Sequence, residues 1–314
     1  MNNRLLLIIF VAGLALFFAG KLIRGNKTAS FDPLIAAVDS TTVDRIKFVS
    51  GGGATKEEFE LKRTGKMWEA VKGDNKVTAD NIKVNTLIAP LTHLNASRVV
   101  TKEPSKYAEY EITDEQAGRV TIWEGTKQVA DLIVGGFRFD QNTRSASSFV
   151  RKSDGPEVYL IDGFAGMGLK ARYDQFRNKQ LLDVKPEDVT KLEWTNASGK
   201  KQVLQKDNGA WYYAGMEALD STKFNGYLSS LIGAQGTAFS DLTSTDGLTL
   251  AESLTIYGNN MPAPTIISAF SQTDTLSPFL IHSTFNPQAI FKSDSSGLYK
   301  RVFADLRQFW PDGQ

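Results

Sequence analysis

Val43-Asp-Arg-Ile-Lys-Phe48 returns as Val189-Thr-Lys-Leu-Glu-Trp194, 146 residues further along the chain. Working outward, Gly65-Lys-Met-Trp68 returns as Asn208-Gly-Ala-Trp211, with an offset of 143 between the tryptophans. Thr121-Ile-Trp123 returns as Thr255-Ile-Tyr257 (offset 134) and Arg172-Tyr-Asp174 as Phe303-Ala-Asp305 (offset 131). The order never scrambles, and the offset changes fall in Gly-rich and polar stretches where loops shed residues. A period this long implies two copies of a domain and not a solenoid of short repeats.

Within each copy the apolar residues alternate first with period two and then with helical spacing. Arg45–Phe48, Glu58–Lys62 and Met67–Val71 read as half-buried strands, punctuated by the turns Ser50–Gly53 and Arg63–Gly65. Thr78 or Asp80 caps a helix whose stripe is Val84, Leu87, Ile88, Leu91 and Leu94, with Pro90 set to kink or shorten it. At a constant offset of 140 the stripe recurs as Phe224, Tyr227, Leu228 and Leu231 behind Asp220. A second run of strands follows in each copy (Val120–Trp123, Val129–Val134, Ser148–Arg151 and Val158–Ile161 in the first), then a short closing helix near Leu169–Arg177 and Val302–Phe309. The pattern predicts an α+β fold, a tandem duplication of a domain with antiparallel strands and packed helices, preceded by one transmembrane helix. Boundaries fall at a flank of residues 1–4, an anchor at 5–23, a linker at 24–31 and repeat domains at 32–183 and 184–314.

The anchor is read from Leu5 to Ile23, with Lys21 snorkelling: 19 residues, or roughly 28 Å of helix, enough to cross a bilayer core. A cleaved signal peptide is the rival, but no small-x-small site closes the run. Ala12, Ala15 and Ala19 form a stripe of small residues at three- and four-residue steps, a candidate face for another membrane helix. The chain has no cysteine, which excludes thiolate metal sites and a lipoprotein anchor and suits an oxidising compartment. Basic residues flank both ends of the segment, so orientation is weakly encoded; export of the body is the expectation.

Removing the four basic residues of 1–28 leaves 32 basic against 35 acidic side chains, a balance with no footprint for nucleic acid. No phosphate-cradling loop or nucleophile elbow occurs, and the spacing in Gly163-Phe-Ala-Gly166-Met-Gly168 is wrong for one. The two histidines, His93 and His282, lack partners at ligand spacing. Glu57, Glu58 and Glu60 read as a solvated strand edge. No catalytic, cofactor or metal residue is assigned, and Trp68, Trp123, Trp194 and Trp211 are expected in the cores. Recognition is expected instead in two loops of the first copy. One holds Phe137, Arg138 and Phe139 after Gly135-Gly136; the other holds Phe164 and Met167, before the closing helix, in the stretch from the capped helix to the closing one that is nine residues longer in the first copy than in the second.

The paired Trp68 and Trp211 blocks, the Thr-Ile-Trp123 strand and Asp174-Gln-Phe-Arg-Asn-Lys-Gln-Leu-Leu-Asp183 resemble a family of bacterial membrane-anchored proteins, domain of unknown function 4340. Copy two lacks a counterpart of Lys179–Leu182 and runs out at Phe309-Trp-Pro311. The resemblance implies one amino-terminal membrane segment and, for many members, genes beside gliding-motility-type ABC-transporter components. It carries no catalytic residues. The expected function is that of a non-enzymatic, single-pass inner-membrane protein with periplasmic tandem domains. It would serve as accessory or assembly subunit of such a complex, with permease and ATPase subunits and membrane lipid as partners. The alternatives are a membrane-tethered envelope hydrolase and a substrate-binding or sensor protein.

Overall fold

Alternation along the leading strand decides the architecture. In β2 (Val43–Ser50), Val43, Ile46 and Phe48 are buried, and in β12 (Val189–Asn196), Val189, Leu192 and Trp194 are buried. The structure, a computed structural model, describes residues 32–50, 56–213 and 217–310.

The first half contributes β1 (Leu34–Ala36), β2, β3 (Glu57–Thr64), β4 (Met67–Lys72), β5 (Asn75–Thr78), β6 (Leu94–Asn95) and β7 (Arg98–Thr101). It continues with β8 (Gly118–Glu124), β9 (Lys127–Asp140), β10 (Ser145–Lys152) and β11 (Val158–Asp162). The second half contributes β12, β13 (Lys201–Asp207), β14 (Ala210–Tyr213), β15 (Glu217–Ala218) and β16 (Ala238–Phe239). It closes with β17 (Thr249–Gly258), β18 (Thr265–Ser271), β19 (Phe279–Ser283) and β20 (Ile290–Ser293). One nine-stranded sheet runs β5-β4-β3-β2-β8-β9-β10-β11-β7, and the other β15-β14-β13-β12-β17-β18-β19-β20-β16. All of their pairings are antiparallel, and β1 and β6 form a separate pair.

The two sheets thus have one strand order, and the likeness reaches single bonds. Ala79 donates its N–H to Trp68 O at 2.9 Å, as Leu219 does to Trp211 O at 2.8 Å. Asp80 caps α1 (Asn81–Ile88) and Asp220 caps α4 (Ser221–Ile232), each carboxylate accepting from two backbone N–H groups of the first turn. The capping residues' own N–H groups reach Phe176 O (2.7 Å) and Phe309 O (2.8 Å). Pro90 ends α1, and the chain runs on as a 3-10 turn over Ala89–His93 with Leu91 buried. α2 (Ala165–Leu169) and α3 (Tyr173–Phe176) close the first half; α5 (Leu298–Val302) and a 3-10 turn at Leu306–Phe309 close the second. One apolar core gathers residues from Ile35 to Phe176, the other from Leu181 to Phe309.

These proportions correct the expected fold class. Of the described residues 45% are in strands and 20% in helices, so the chain is predominantly antiparallel β and not α+β with packed helices. The physical reason lies in the length of the elements: among the described residues no α-helix apart from α4 exceeds eight residues, whereas each half carries a sheet of nine strands. As for the expected leading transmembrane helix, no helix among the described residues is long and apolar enough to cross a membrane. The segment 5–23, with Ala12, Ala15 and Ala19, lies outside the described residues.

Candidate functional site

Gly135 and Gly136 suggest a turn in the sequence, but the chain passes straight through them. A Cβ at Gly135 would lie 2.2 Å from Tyr110 O, so glycine is required there by close backbone approach and not by turning. β9 therefore runs unbroken for fourteen residues, and Phe137, Arg138 and Phe139 lie on a strand, where the sequence had suggested a loop. The β9–β10 register slips between Ser148 and Val150, re-aiming this end of the strand. The second expected loop is also structured: Phe164 precedes α2 and Met167 lies within it. Gly166 lets that helix press on the sheet, since a Cβ there would sit 2.2 Å from Ser148 Cβ and Oγ.

Strand alternation then sorts the five residues. Phe137 and Phe139 point to one face and meet Phe164, with ring centroids at 6.1 and 6.4 Å. Phe139, Phe164 and Met167 are 50%, 60% and 51% exposed, so the group is a surface cluster and not core. Arg138 is not part of it. Its Nη1 donates to Glu111 Oε1 and to Phe137 O, both at 3.2 Å, and its guanidinium faces the Phe149 ring.

Phe164 also lines a groove of about 370 Å³ between α1 and the closing helices, walled by Leu87, Pro90, Ala165, Ala171 and Phe176. No local pattern marks this groove, because its walls come from helices that lie far apart in the chain, Asn81–Ile88 against Ala165–Leu169 and Tyr173–Phe176. Lys83 stands at it, its Nζ 3.6 Å from the capping Asp80. Burial and the neighbouring Lys83 ammonium push the pKa of Lys179 below the usual lysine value. The corresponding groove of the second half, about 600 Å³, is lined by Lys223, Lys300, Arg301 and Asp305. The joint of the second half thus carries four charged side chains beside the apolar Tyr227, Ala304 and Phe309, where that of the first has Lys83 alone.

The remaining candidates are scattered. His93 is exposed on the 3-10 turn, and His282 Nε2 lies 3.2 Å from Pro287 O on β19. Glu57 is no solvated edge residue. Burial alone would raise its pKa, but bonds from Lys72 and the Tyr173 N–H outweigh this and hold the carboxyl below its ordinary value. Trp68, Trp194 and Trp211 are buried, whereas Trp123 is half-buried beneath the Arg45 guanidinium, 4.0 Å from its ring centroid. Lys191 sits over Tyr257 in the same way at 3.8 Å. Arg45–Trp123 and Lys191–Tyr257 are directly opposed cross-strand pairs, so the stacking belongs to the sheet.

The family model described as Domain of unknown function (DUF4340) matches residues 68–251, more than half of the chain. The chain belongs to this family. The match begins at Trp68, whose carbonyl closes the joint to α1, and takes in the linker and much of the second sheet. Comparison with curated proteins and with solved structures gave no match. Membership in DUF4340 therefore brings no assigned chemistry.

Proposed function

We propose that the chain is a non-enzymatic accessory or assembly subunit of an ABC-transporter-like complex in the bacterial inner membrane. The apolar segment 5–23 holds it to the membrane, with both sheets on the outer side. Its partners are the integral permease and ATPase assembly and the surrounding lipid; the mixed surface charge gives nucleic acid no purchase.

The observation that carries this reading is the exposed cluster Phe139, Phe164 and Met167, continuous with an apolar groove. Aromatic and methionine side chains grouped around a concavity are what a protein partner buries at the centre of an interface. A membrane subunit is the partner whose surface matches, because its exposed segments are themselves apolar. The hydrolase alternative needs a carboxyl raised in pKa to act as an acid. Among the described residues every carboxyl group with a displaced pKa is displaced downward, by hydrogen bonds or cations.

The test is co-purification from detergent-solubilised membranes of the native host, with companions identified by mass spectrometry. The wild type is expected to retain permease and ATPase subunits, and Phe139→Ser/Phe164→Ser to lose them while keeping its far-UV spectrum. Retention by the double variant would exclude this surface.

A further inference from the structure

Two sheets with one strand order allow each position to be compared with its counterpart, and one region differs in kind. In the first half Phe48 faces Phe59 across β2 and β3, with the rings stacked 4.7 Å apart. Tyr173 meets Phe59 edge-on at 5.9 Å and Phe176 packs on Phe48 at 5.5 Å, so aromatic rings fill the space beneath the closing helices.

In the second half the counterpart pair is Trp194 and Gln202. The capping bonds place Phe309 against Phe176, an offset of 133 that corrects the 131 read from the sequence and puts Leu306, not Ala304, where Tyr173 stands. Glu252, opposite Asn196, takes the place of Gly118 by the offset of 134. Two rings have been replaced by smaller side chains and a carboxylate has been added. The result is a cavity of about 470 Å³, lined by Trp194, Asn196, Gln202, Glu252, Arg307 and Trp310. That volume lies within the range of small-molecule sites.

The cavity's polar groups are prepared for a ligand. The indole N–H groups of Trp194 and Trp310 are closed off from solvent, so the polar side chains that a ligand can meet are Asn196, Gln202 and Glu252. Glu252 is oriented from outside by the Tyr299 hydroxyl, which donates to its Oε1. Burial and that bond push the Tyr299 phenol far above its ordinary pKa, so it remains a donor. Charge on the lining balances: Lys200 and Arg307 against Glu252 and Asp305, with Arg307 Nη2 held 2.7 Å from Asp305 Oδ2.

We infer that this cavity of the second half binds a neutral, polyhydroxylated ring, a monosaccharide unit free or at a glycan end. Hydroxyl groups accept from the Asn196 and Gln202 amide N–H donors and donate to Glu252, while indole rings beside the cavity suit a sugar's apolar face. The balanced lining disfavours an anion. This function is independent of the docking face on the first half.

Its test uses the full chain in detergent, titrated with glucose, galactose, mannose, N-acetylglucosamine and N-acetylgalactosamine, and with glucuronate and inorganic phosphate as anionic controls. Binding is read by calorimetry and tryptophan emission. At least one neutral sugar is expected to bind with a Kd on the order of 1 mM or tighter. Gln202→Phe, which restores the ring the first half holds, and Glu252→Gln are each expected to weaken it at least ~10-fold, with an unchanged melting transition. Binding of none of the sugars would overturn the inference. So would binding untouched by both variants, or preference for glucuronate or phosphate.

Discussion

Arg177, at the end of the first half, lays its guanidinium 3.6 Å from the ring centroid of Phe239, on the edge strand of the second. It is almost fully buried and also pairs with Asp174 Oδ1 at 3.2 Å. Around it, Asn286 Nδ2 donates to Asn178 O and Gln180 O, and Gln288 Oε1 accepts from Thr78 N. The segment joining the halves is therefore pinned by side chains of the second half. Arg177→Lys keeps the charge but loses the flat stacking surface, at a cost of about 1–2 kcal/mol. Limited proteolysis should then cut near residues 178–188 in the variant and spare the wild type; equal cutting would show that the stacking does not hold the segment.

Asp80 and Asp220 make the same cap, so their loss should cost the same. Asp80→Ala and Asp220→Ala are each expected to lower stability by about 1 kcal/mol, read as a shift in urea midpoint. Substitution by Asn, which keeps an acceptor, should recover most of it. A change confined to one half would show that only one cap bears on stability.

Phe59 is stacked in a full core, whereas its counterpart Gln202 borders a cavity. Phe59→Gln leaves a void and buries an amide, at an expected cost of about 3–5 kcal/mol. Gln202→Phe should be nearly neutral. Equal losses from the two changes in chemical denaturation would contradict the contrast between the halves.

Asp131 supplies a pH dependence. Burial alone would raise its pKa, but Arg119 Nε at 2.8 Å, with its partner nitrogen and Ser153, holds it below the ordinary 3.8. A depressed folded-state pKa means that the stabilisation is complete above pH 3.8 and is lost as pH falls through the folded value. Asp131→Asn should therefore be about 1–2 kcal/mol less stable at neutral pH, the gap narrowing as the pH falls below 3.8. Urea midpoints for both proteins across that window check this; a constant gap would remove the ion pair as its source.

How far the sequence spoke depended on whether a signal was local. Asp80 and Asp220 were readable as caps because capping needs only a carboxylate ahead of an apolar stripe, and Val84, Leu87, Ile88 and Leu91 are buried in that stripe's order. Gly135-Gly136 misled because a glycine kept for close approach looks, in one dimension, like a glycine kept for a turn. The helices were overweighted because a short apolar stripe looks the same whether its helix forms a layer or merely plugs a sheet. Phe137, Phe139 and Phe164 were singled out from sequence, but their meeting was not, since it depends on where α2 settles on β9 and β10. The cavity at Trp194 was illegible, because it arises from a missing ring at Gln202 and a missing ring at Leu306, more than a hundred residues apart.

The central claim, that the first-half aromatic face meets a membrane subunit, is tested most directly by site-specific photo-crosslinking in intact cells. A photoreactive amino acid would replace Phe164 in one variant and Leu276, 84% exposed on the second half, in another. Crosslinks from position 164 to an integral permease-type subunit, with none from position 276, are the predicted result. No crosslink from position 164, or the same product from both positions, would contradict it.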